Sequence, residues 1–287
     1  TVVGVMGYHW QVALLAVFVE GIIFIVLSLT NVREAIFDAI PLNLKKGVSV
    51  GIGIFIAFIG LQNAKLVIGN KSTLVSITNF TKDFHTAGIC SLLAVIGLLI
   101  TVILYIKKVP GSILIGILAT WVIGMLCQIT GIYVPDFKTG YYSLFPTFAM
   151  TDFSKLGETF GKCFQYDLGK VGIFNFIAVV LSFLFVDLFD TLGTLVGVST
   201  KAGMLDEEGK LPGIKPALMA DAVATTAGAV LGTSTVTTFV ESSSGVAAGG
   251  RTGLTAVVSG FLFLISTLFA PIFTAIPSFA TAPALIM

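Results

Sequence analysis

Seven stretches of this sequence run for about 20 residues with little or no charge, long enough at roughly 1.5 Å per residue to cross a bilayer as helices. They are 10–30, 47–68, 87–106, 111–133, 171–198, 216–233 and 253–276; an irregular eighth covers 234–250, and a further one begins near 279. Composition points the same way, with 11% charged residues, 56% hydrophobic ones and a mean hydropathy of +1.02. Soluble domains carry roughly 25% charge, and a soluble chain of 287 residues would need that charge to cover its surface. Lipid is therefore the expected solvent. The net charge of +1 supplies no basic field for nucleic acid.

Between the first two spans, NVREAIFDAIPLNLKK (31–46) sets Val32, Ala35, Ile36, Ala39 and Ile40 on one helical face with charges opposite. That pattern predicts a helix lying at the membrane interface. Lys45, Lys46, Lys107, Lys108, Lys201, Lys210, Lys215 and Arg251 fall in alternate loops and mark the cytoplasmic side, because basic residues in short loops stay inside. The long connections on the other side carry Lys65, Lys71, Lys82, Lys138, Lys155, Lys162 and Lys170. Cys90, Cys127 and Cys163 form neither a disulfide framework nor a metal spacing, and His9 and His85 read as ordinary interfacial side chains. The ends, TVVGVMGYHW and FATAPALIM, read as cut from a longer protein.

Small residues concentrate between 187 and 253, with glycines four apart at Gly193/Gly197, Gly228/Gly232 and Gly245/Gly249. Such spacing lets helix backbones approach closely and predicts a compact inner domain beside a looser one rich in Leu and Ile (87–133).

Five acids fall at bilayer depth: Glu20, Asp187, Asp190, Asp221 and Glu241. An acid costs about 2.5–3.5 kcal/mol to insert there and is a functional candidate by default. No Lys or Arg is expected beside them, and a carboxylate without a cation in low dielectric is suited to binding and releasing protons. In FVDLFDTLGTLVG (185–197), Asp187 and Asp190 share one helix face with Thr191, Thr194 and Gly197, a polar stripe facing a cavity. Glu20 and Asp221 read as interhelical bonds. In STVTTFVESSSGVAAGGRTG (234–253), Thr235 to Val240 is β-branched and aromatic, a poor helix and a good short strand. Glu241 and three serines follow, with Ser as the expected N-cap. Extended backbone at that depth survives only where protein buries it or a cavity wets it. A helix broken in this way is a usual substrate site of secondary transporters.

The segments GIGIFIAFIGLQNAKLV (51–67), FVDLFDTLGTLVGVSTKAG (185–203) and ADAVATTAGAVLGTSTVTTFVESSSGVAAGGRTG (220–253) resemble the xanthine/uracil permease superfamily, in particular its AzgA-like adenine/guanine/hypoxanthine branch. The resemblance implies an all-α polytopic membrane protein, part of a 7+7 inverted-repeat nucleobase transporter fold with core and gate domains and a short mid-membrane β-strand. On that template the chain runs from the fourth transmembrane segment into the twelfth. Residues 1–30 belong to the core, 31–46 to the interfacial helix, 47–133 to the gate, 134–170 to an extracytoplasmic loop, 171–276 to the core again and 277–287 to the next gate segment. The family's two substrate-holding acids match Asp190 and Glu241. Thr194 and the main chain of Val240 also face substrate in relatives, with Phe239 and Ser242 beside them, and proton coupling falls to Asp190 and Asp187. Ser242, Ser244 and Gly249-Gly250-Arg251 depart from the broader signature and fit the purine branch. Asp rather than Glu at position 190 leaves room for a two-ring base.

The expected activity is secondary transport of purine bases by proton symport with an elevator-like core movement, in the cell membrane, with no enzymatic site and no cofactor or metal. The partners are a purine base, protons, the bilayer and, as an open option, a second copy in a homodimer, but no nucleic acid. Two rivals remain. An anion transporter of the related sulfate-transporter fold would want a cation near the helix break, where Arg251 stands ten residues past Glu241. An intramembrane aspartyl protease would pair Asp190 with Asp221, but no Gly-x-Gly-Asp precedes either.

Overall fold

A computed structural model describes residues 2–4, 6–165, 171–206 and 210–287. Lys170, the last five residues of the expected 134–170 loop and the side chain of Lys155 lie outside the described residues. The helices are α1 (Trp10–Leu29), α2 (Val32–Ala39), α3 (Leu42–Asn63), α4 (Ile89–Ile106), α5 (Ser112–Ile129) and the single turn α6 (Leu156–Thr159). They continue as α7 (Ile173–Ala202), α8 (Ile214–Leu231), α9 (Ser242–Ala247), α10 (Gly253–Leu268), α11 (Ala270–Phe273) and α12 (Ser278–Ile286). Among the described residues, six helices are long and apolar enough to cross a membrane: α1, α3, α4 with the π-helical turn before it, α5, α7 and α8. The fold is that of an all-α polytopic protein.

Three expected boundaries move, each for a local reason. The interfacial helix ends at Ala39 rather than at 46, because Pro41 holds Ile40 extended (φ −76°, ψ 123°) and a new helix, α3, starts at Leu42. The expected 253–276 span stops at Leu268, and α11 restarts with Pro271 in its first turn. The expected 47–68 span ends at Asn63 and gives way to an antiparallel hairpin, β1 (Val67–Asn70) and β2 (Leu74–Ile77), with Asn70 opposite Leu74. Asn70 Oδ1 accepts from the amides of Ser72 (2.8 Å) and Thr73 (3.2 Å) and builds that turn.

The chain divides into two compact units, Thr1–Ile52 with Asp152–Thr255 and Gly53–Thr151 with Ala256–Met287. Residues 256–276, read from the sequence with the core, therefore group with the second unit by compactness. Helix α3 carries the chain from one unit to the other.

In the first unit α1 packs on α7 and α8. A Cβ on Gly21 of α1 would lie 2.9 Å from the Thr226 amide nitrogen and 3.0 Å from its Cα, so the two backbones touch there. Gly193 meets Val48 and Ile52 of α3, and Gly197 meets Ser49. Gly228 packs on Thr233 and Val236, while Gly232 ends α8 with φ +93°. The third pair differs from expectation, since a Cβ at Gly245 or Gly249 would meet nothing within 4 Å.

In the second unit α4 and α5 join by a reciprocal exchange. Thr120 Oγ1 donates to the Gly116 carbonyl (2.7 Å) and its side chain fills the space beside Gly97; Thr101 Oγ1 donates to the Gly97 carbonyl (2.7 Å) and fills the space beside Gly116. Each threonine satisfies its hydroxyl within its own helix while its side chain occupies the space that the neighbour's glycine leaves. The connection after α5 is tied down by Trp121 Nε1 donating to the Leu144 carbonyl, Leu144 N–H donating to Gln128 Oε1 and Tyr133 O–H donating to the Tyr142 carbonyl, each at 2.8 Å. Burial pushes the Tyr133 hydroxyl above its ordinary pKa, which keeps it a donor.

Gly21→Ala should lower the thermal unfolding midpoint of the detergent-solubilised protein, since overpacking costs about 1–3 kcal/mol. Gly260→Ala, in open space, should leave the midpoint unchanged or raise it, because helical Ala is favoured over Gly by about 1 kcal/mol. Equal midpoints for the two variants would show that Gly21 is not a backbone contact.

Candidate functional site

Helix α8 ends at Leu231 and α9 begins at Ser242, and residues 233–239 between them are not helical. The expected break is present. The expected mid-membrane strand is not a laddered one, for 234–240 has no strand partner among the described residues, where the one sheet is the 67–77 hairpin. Three threonines hold the segment instead. Thr225 Oγ1 of α8 donates to the Val236 carbonyl (2.8 Å), Thr191 Oγ1 of α7 lies 3.2 Å from Thr237 Oγ1, and Thr235 Oγ1 donates to Glu20 Oε2 of α1 (3.4 Å). The Thr225 hydroxyl thereby takes the place of a helical N–H at the Val236 carbonyl, and the other two bonds tie the segment's side chains to α7 and α1.

A cleft of about 550 Å³ opens against this segment, within the usual range for small-ligand sites. Trp10, Leu14 and Val17 of α1 and Phe183 of α7 make an apolar wall, and Asp187, Asp190, Thr235 and Thr237 also line the cleft, with both carboxylate oxygens of Asp187 closed off from solvent. Asp187 is buried and Asp190 half-buried. Thr194, one turn beyond Asp190, is buried with its hydroxyl unpartnered in the structure. Among the residues singled out from the sequence, Asp187 and Asp190 line the cleft, whereas Thr194, Phe239, Val240, Glu241 and Ser242 are not among its lining residues.

Glu241 is exposed and is itself the residue preceding α9, so the expected serine cap is not formed. Ser244 Oγ donates back to the Glu241 carbonyl (2.7 Å), and Ser242 opens the helix with its amide on the Phe239 carbonyl (3.2 Å). Val240 is half-buried and Phe239 exposed. Arg251 donates to the Ala202 carbonyl at the end of α7 (3.1 Å), a C-terminal helix contact.

Behind the cleft lies a cation that the sequence does not announce. Arg33 of α2 is 2% exposed. Its Nη2 donates to Asp221 Oδ2 of α8 (2.8 Å) and lies 3.9 Å from Asp187 Oδ2, while its Nη1 donates to the Leu218 carbonyl (2.9 Å). The guanidinium stands 4.0 Å from the Phe24 ring centroid. The expectation of acids without a cation is therefore wrong for Asp221 and Asp187. The reason is geometric: Val32, Ala35, Ile36 and Ala39 turn their stripe outward, which sends Arg33 and Phe37 inward. Asp221, expected as an interhelical bond, is one, with Thr191 Oγ1 donating to the same Oδ2 (3.3 Å). Glu20 is fully buried; its Oε2 takes the Thr235 hydroxyl, and its Oε1 has no partner in the structure.

Trp10, Thr235, Thr237 and Arg33 were not singled out by sequence reasoning. The two threonines carried a usable signal, as hydroxyls inside a run already read as broken; Trp10 and Arg33 look like ordinary interfacial residues.

The Permease family model, that of xanthine/uracil permeases, matches residues 1–287. The chain is 46% identical to a putative permease of Methanocaldococcus jannaschii, over 97% of this chain and 59% of that one. It is 44% identical to the guanine/hypoxanthine permease PbuG of Bacillus subtilis (97% and 58%) and 38% identical to the adenine permease AdeQ of Escherichia coli (99% and 59%). It thus spans just under three-fifths of the length of these relatives. On the match across its whole length and its six apolar spans, this chain belongs to the xanthine/uracil permease family and is a multi-pass protein of the cell membrane.

Proposed function

We propose that this chain is the membrane-embedded part of a purine-base permease that moves guanine, hypoxanthine or adenine together with protons. The observation that carries the reading is the cleft in which Asp187 and Asp190 of α7 face the threonines of a broken helix. A purine presents two flat apolar faces and an edge of N–H donors and O6/N7 acceptors. Trp10, Leu14 and Phe183 suit the faces, the carboxylates suit N–H groups and the threonine hydroxyls suit either kind of partner. The relatives named as guanine/hypoxanthine and adenine permeases support the same class. Residues 1–30 and the α7–α9 region serve as the core, α4 and α5 as part of the gate, and the core moves against the gate in an elevator-like step. A homodimer is compatible with this scheme. The anion-transport rival lacks support, since Arg251 is engaged at the end of α7. Nothing favours the protease reading over transport.

Radiolabelled hypoxanthine uptake into proteoliposomes, competed by a panel of unlabelled bases, tests the class. Guanine, hypoxanthine or adenine should compete and uracil should not; uptake blocked by uracil but by no purine would defeat the proposal.

Glu241 stands two residues past the non-helical 233–239 segment, at the start of α9, and in this proposal it anchors the base, with Phe239, Val240, Ser242 and Thr194 shaping the approach. Glu241→Gln turns half of an acceptor into a donor and leaves a mismatch of about 1–3 kcal/mol. Calorimetry should show binding weakened by about one to two orders of magnitude; unchanged affinity in a folded variant removes Glu241 from the site.

Asp190, with Asp187 as its neighbour one turn back, carries the coupling proton. Asp190→Asn mimics the loaded carboxyl permanently, so binding and exchange of labelled base across vesicles should persist while accumulation against a gradient is lost. A variant that still concentrates hypoxanthine, with a protonophore still collapsing the gradient, would place coupling elsewhere.

A further inference from the structure

We propose that Arg33 is a positioning residue for transport: its guanidinium is shared between Asp221 and the cleft-lining Asp187, and it reports the state of the cleft to the α2–α3 connection. The proposal rests on reading the cleft as the transport site.

The charged groups facing Asp187 are Arg33 on α2, Asp221 on α8, Asp190 on its own helix and Glu20 on α1. Among these Arg33 is the only cation. It is bonded to Asp221 at 2.8 Å but lies 3.9 Å from Asp187, attracted by charge yet beyond a hydrogen bond. The Phe24 ring and the Leu218 carbonyl fix the rest of the guanidinium, so small displacements toward one carboxylate or the other are the freedom left to it. A proton on Asp187, or a base donating N–H groups to it, removes that carboxylate's pull and leaves Arg33 to Asp221 alone. A bare Asp187 draws it back.

A second route links the same residues. Asp221 Oδ2 also takes the Thr191 hydroxyl, which contacts Thr237 in the cleft wall. Arg33 thus meets the cleft through Asp187 on one side and through Asp221, Thr191 and Thr237 on the other. It sits in α2, with Ile40 and Pro41 alone separating that helix from α3, the helix that takes the chain into the second unit. A change in which carboxylate holds Arg33 therefore reaches α2 directly. A buried arginine serving only to fasten α2 would need Asp221 and the Leu218 carbonyl, but not a second carboxylate from the cleft.

A double-mutant cycle of Arg33→Lys and Asp187→Asn tests this. Lysine keeps the charge but loses the planar fork that can address two carboxylates. In proteoliposomes Arg33→Lys should lower the maximal rate of hypoxanthine uptake about tenfold, with KM changed far less, and flatten its pH profile; in the Asp187→Asn background it should add little. Full multiplication of the two effects, with a wild-type pH profile in Arg33→Lys, would reduce Arg33 to a structural fastener and overturn the proposal. Hydrogen–deuterium exchange over Val32–Ala39 gives a second readout that needs only Asp187→Asn to fold. Acidification should change α2 exchange in the wild type and not in that variant, and an equal response in both would also overturn it. A wild-type protein that takes up no hypoxanthine defeats the purine reading, and the exchange comparison then decides the role of Arg33.

Discussion

The arrangement of the first unit depends on one buried guanidinium among carboxylates. Arg33 is closed off from solvent, as are Glu20, Asp187 and Asp221 around it. Each ion buried without compensation costs several kcal/mol even after relaxation. Asp221 meets that requirement with an ion pair, a threonine hydroxyl and a bond geometry of 2.8 Å. All three acids nevertheless retain buried oxygens without hydrogen-bond partners in the structure: Glu20 Oε1, both oxygens of Asp187 and Asp221 Oδ1. A structure built for stability alone would place hydrophobic side chains in these positions, because replacing a buried ionic group by well-packed apolar residues is often neutral or favourable. Asp187, without a hydrogen-bond partner on either oxygen in the structure, lines the cleft, whereas Asp221, whose Oδ2 takes two hydrogen bonds, is not among the lining residues. An acid left short of hydrogen bonds beside the cleft is what a site for exchangeable protons and N–H donors requires.

The helix break is the complementary constraint. Residues 233–239 give up intrahelical hydrogen bonds, and free backbone groups are tolerated in a membrane protein only where protein or water satisfies them. Thr191, Thr225 and Thr235 connect the segment to α7, α8 and α1 respectively. The β-branched residues that make the run a poor helix thus also include the one that binds Glu20. Close approach makes these bonds possible, since Gly21 allows α1 to touch α8 at Thr226, four residues past Ala222, whose carbonyl takes the Thr226 hydroxyl at 2.9 Å.

Much of this architecture is legible in the sequence, and the parts that are not share a cause. Apolar length announces a span wherever it occurs, so α1, α4, α5, α7 and α8 follow from hydropathy, with ends displaced by a few residues. Asp187 and Asp190 declare themselves because an acid in lipid has no ordinary explanation, and the run from Thr235 to Val240 because its propensity contradicts its surroundings. Arg33 gives no such signal. In an amphipathic segment at an interface a charge is the expected occupant of the polar face, and only the packing of α2 on α1 and α8 turns that face inward. The 67–77 hairpin escapes for a related reason, its Val and Ile extending an apolar run that hydropathy assigns to the preceding span.

Glycine spacing shows the same limit in finer detail. Gly193, Gly197, Gly228 and Gly232 meet neighbours, while Gly245 and Gly249 face open space in the structure, although the three pairs look alike in sequence. The productive contacts in α4 and α5 come from Gly97 and Gly116, which form no such pair. They are matched instead by Thr120 and Thr101 across the interface. Spacing along one helix says where a backbone could approach another. The partner that fills the groove decides whether it does, and here threonine is that partner at Gly21, Gly97, Gly116 and Gly232 alike. At Gly21, Gly97 and Gly116 the threonine bonds its own helix through oxygen while its side chain fills the neighbour's groove, which solves two problems at once in a medium without water. The same residue type then recurs in the cleft wall, where the Thr235 hydroxyl goes to Glu20 and that of Thr237 lies against Thr191. Packing and polarity in this chain are therefore served by one kind of side chain, and the cleft is the place where that side chain meets space that protein does not fill.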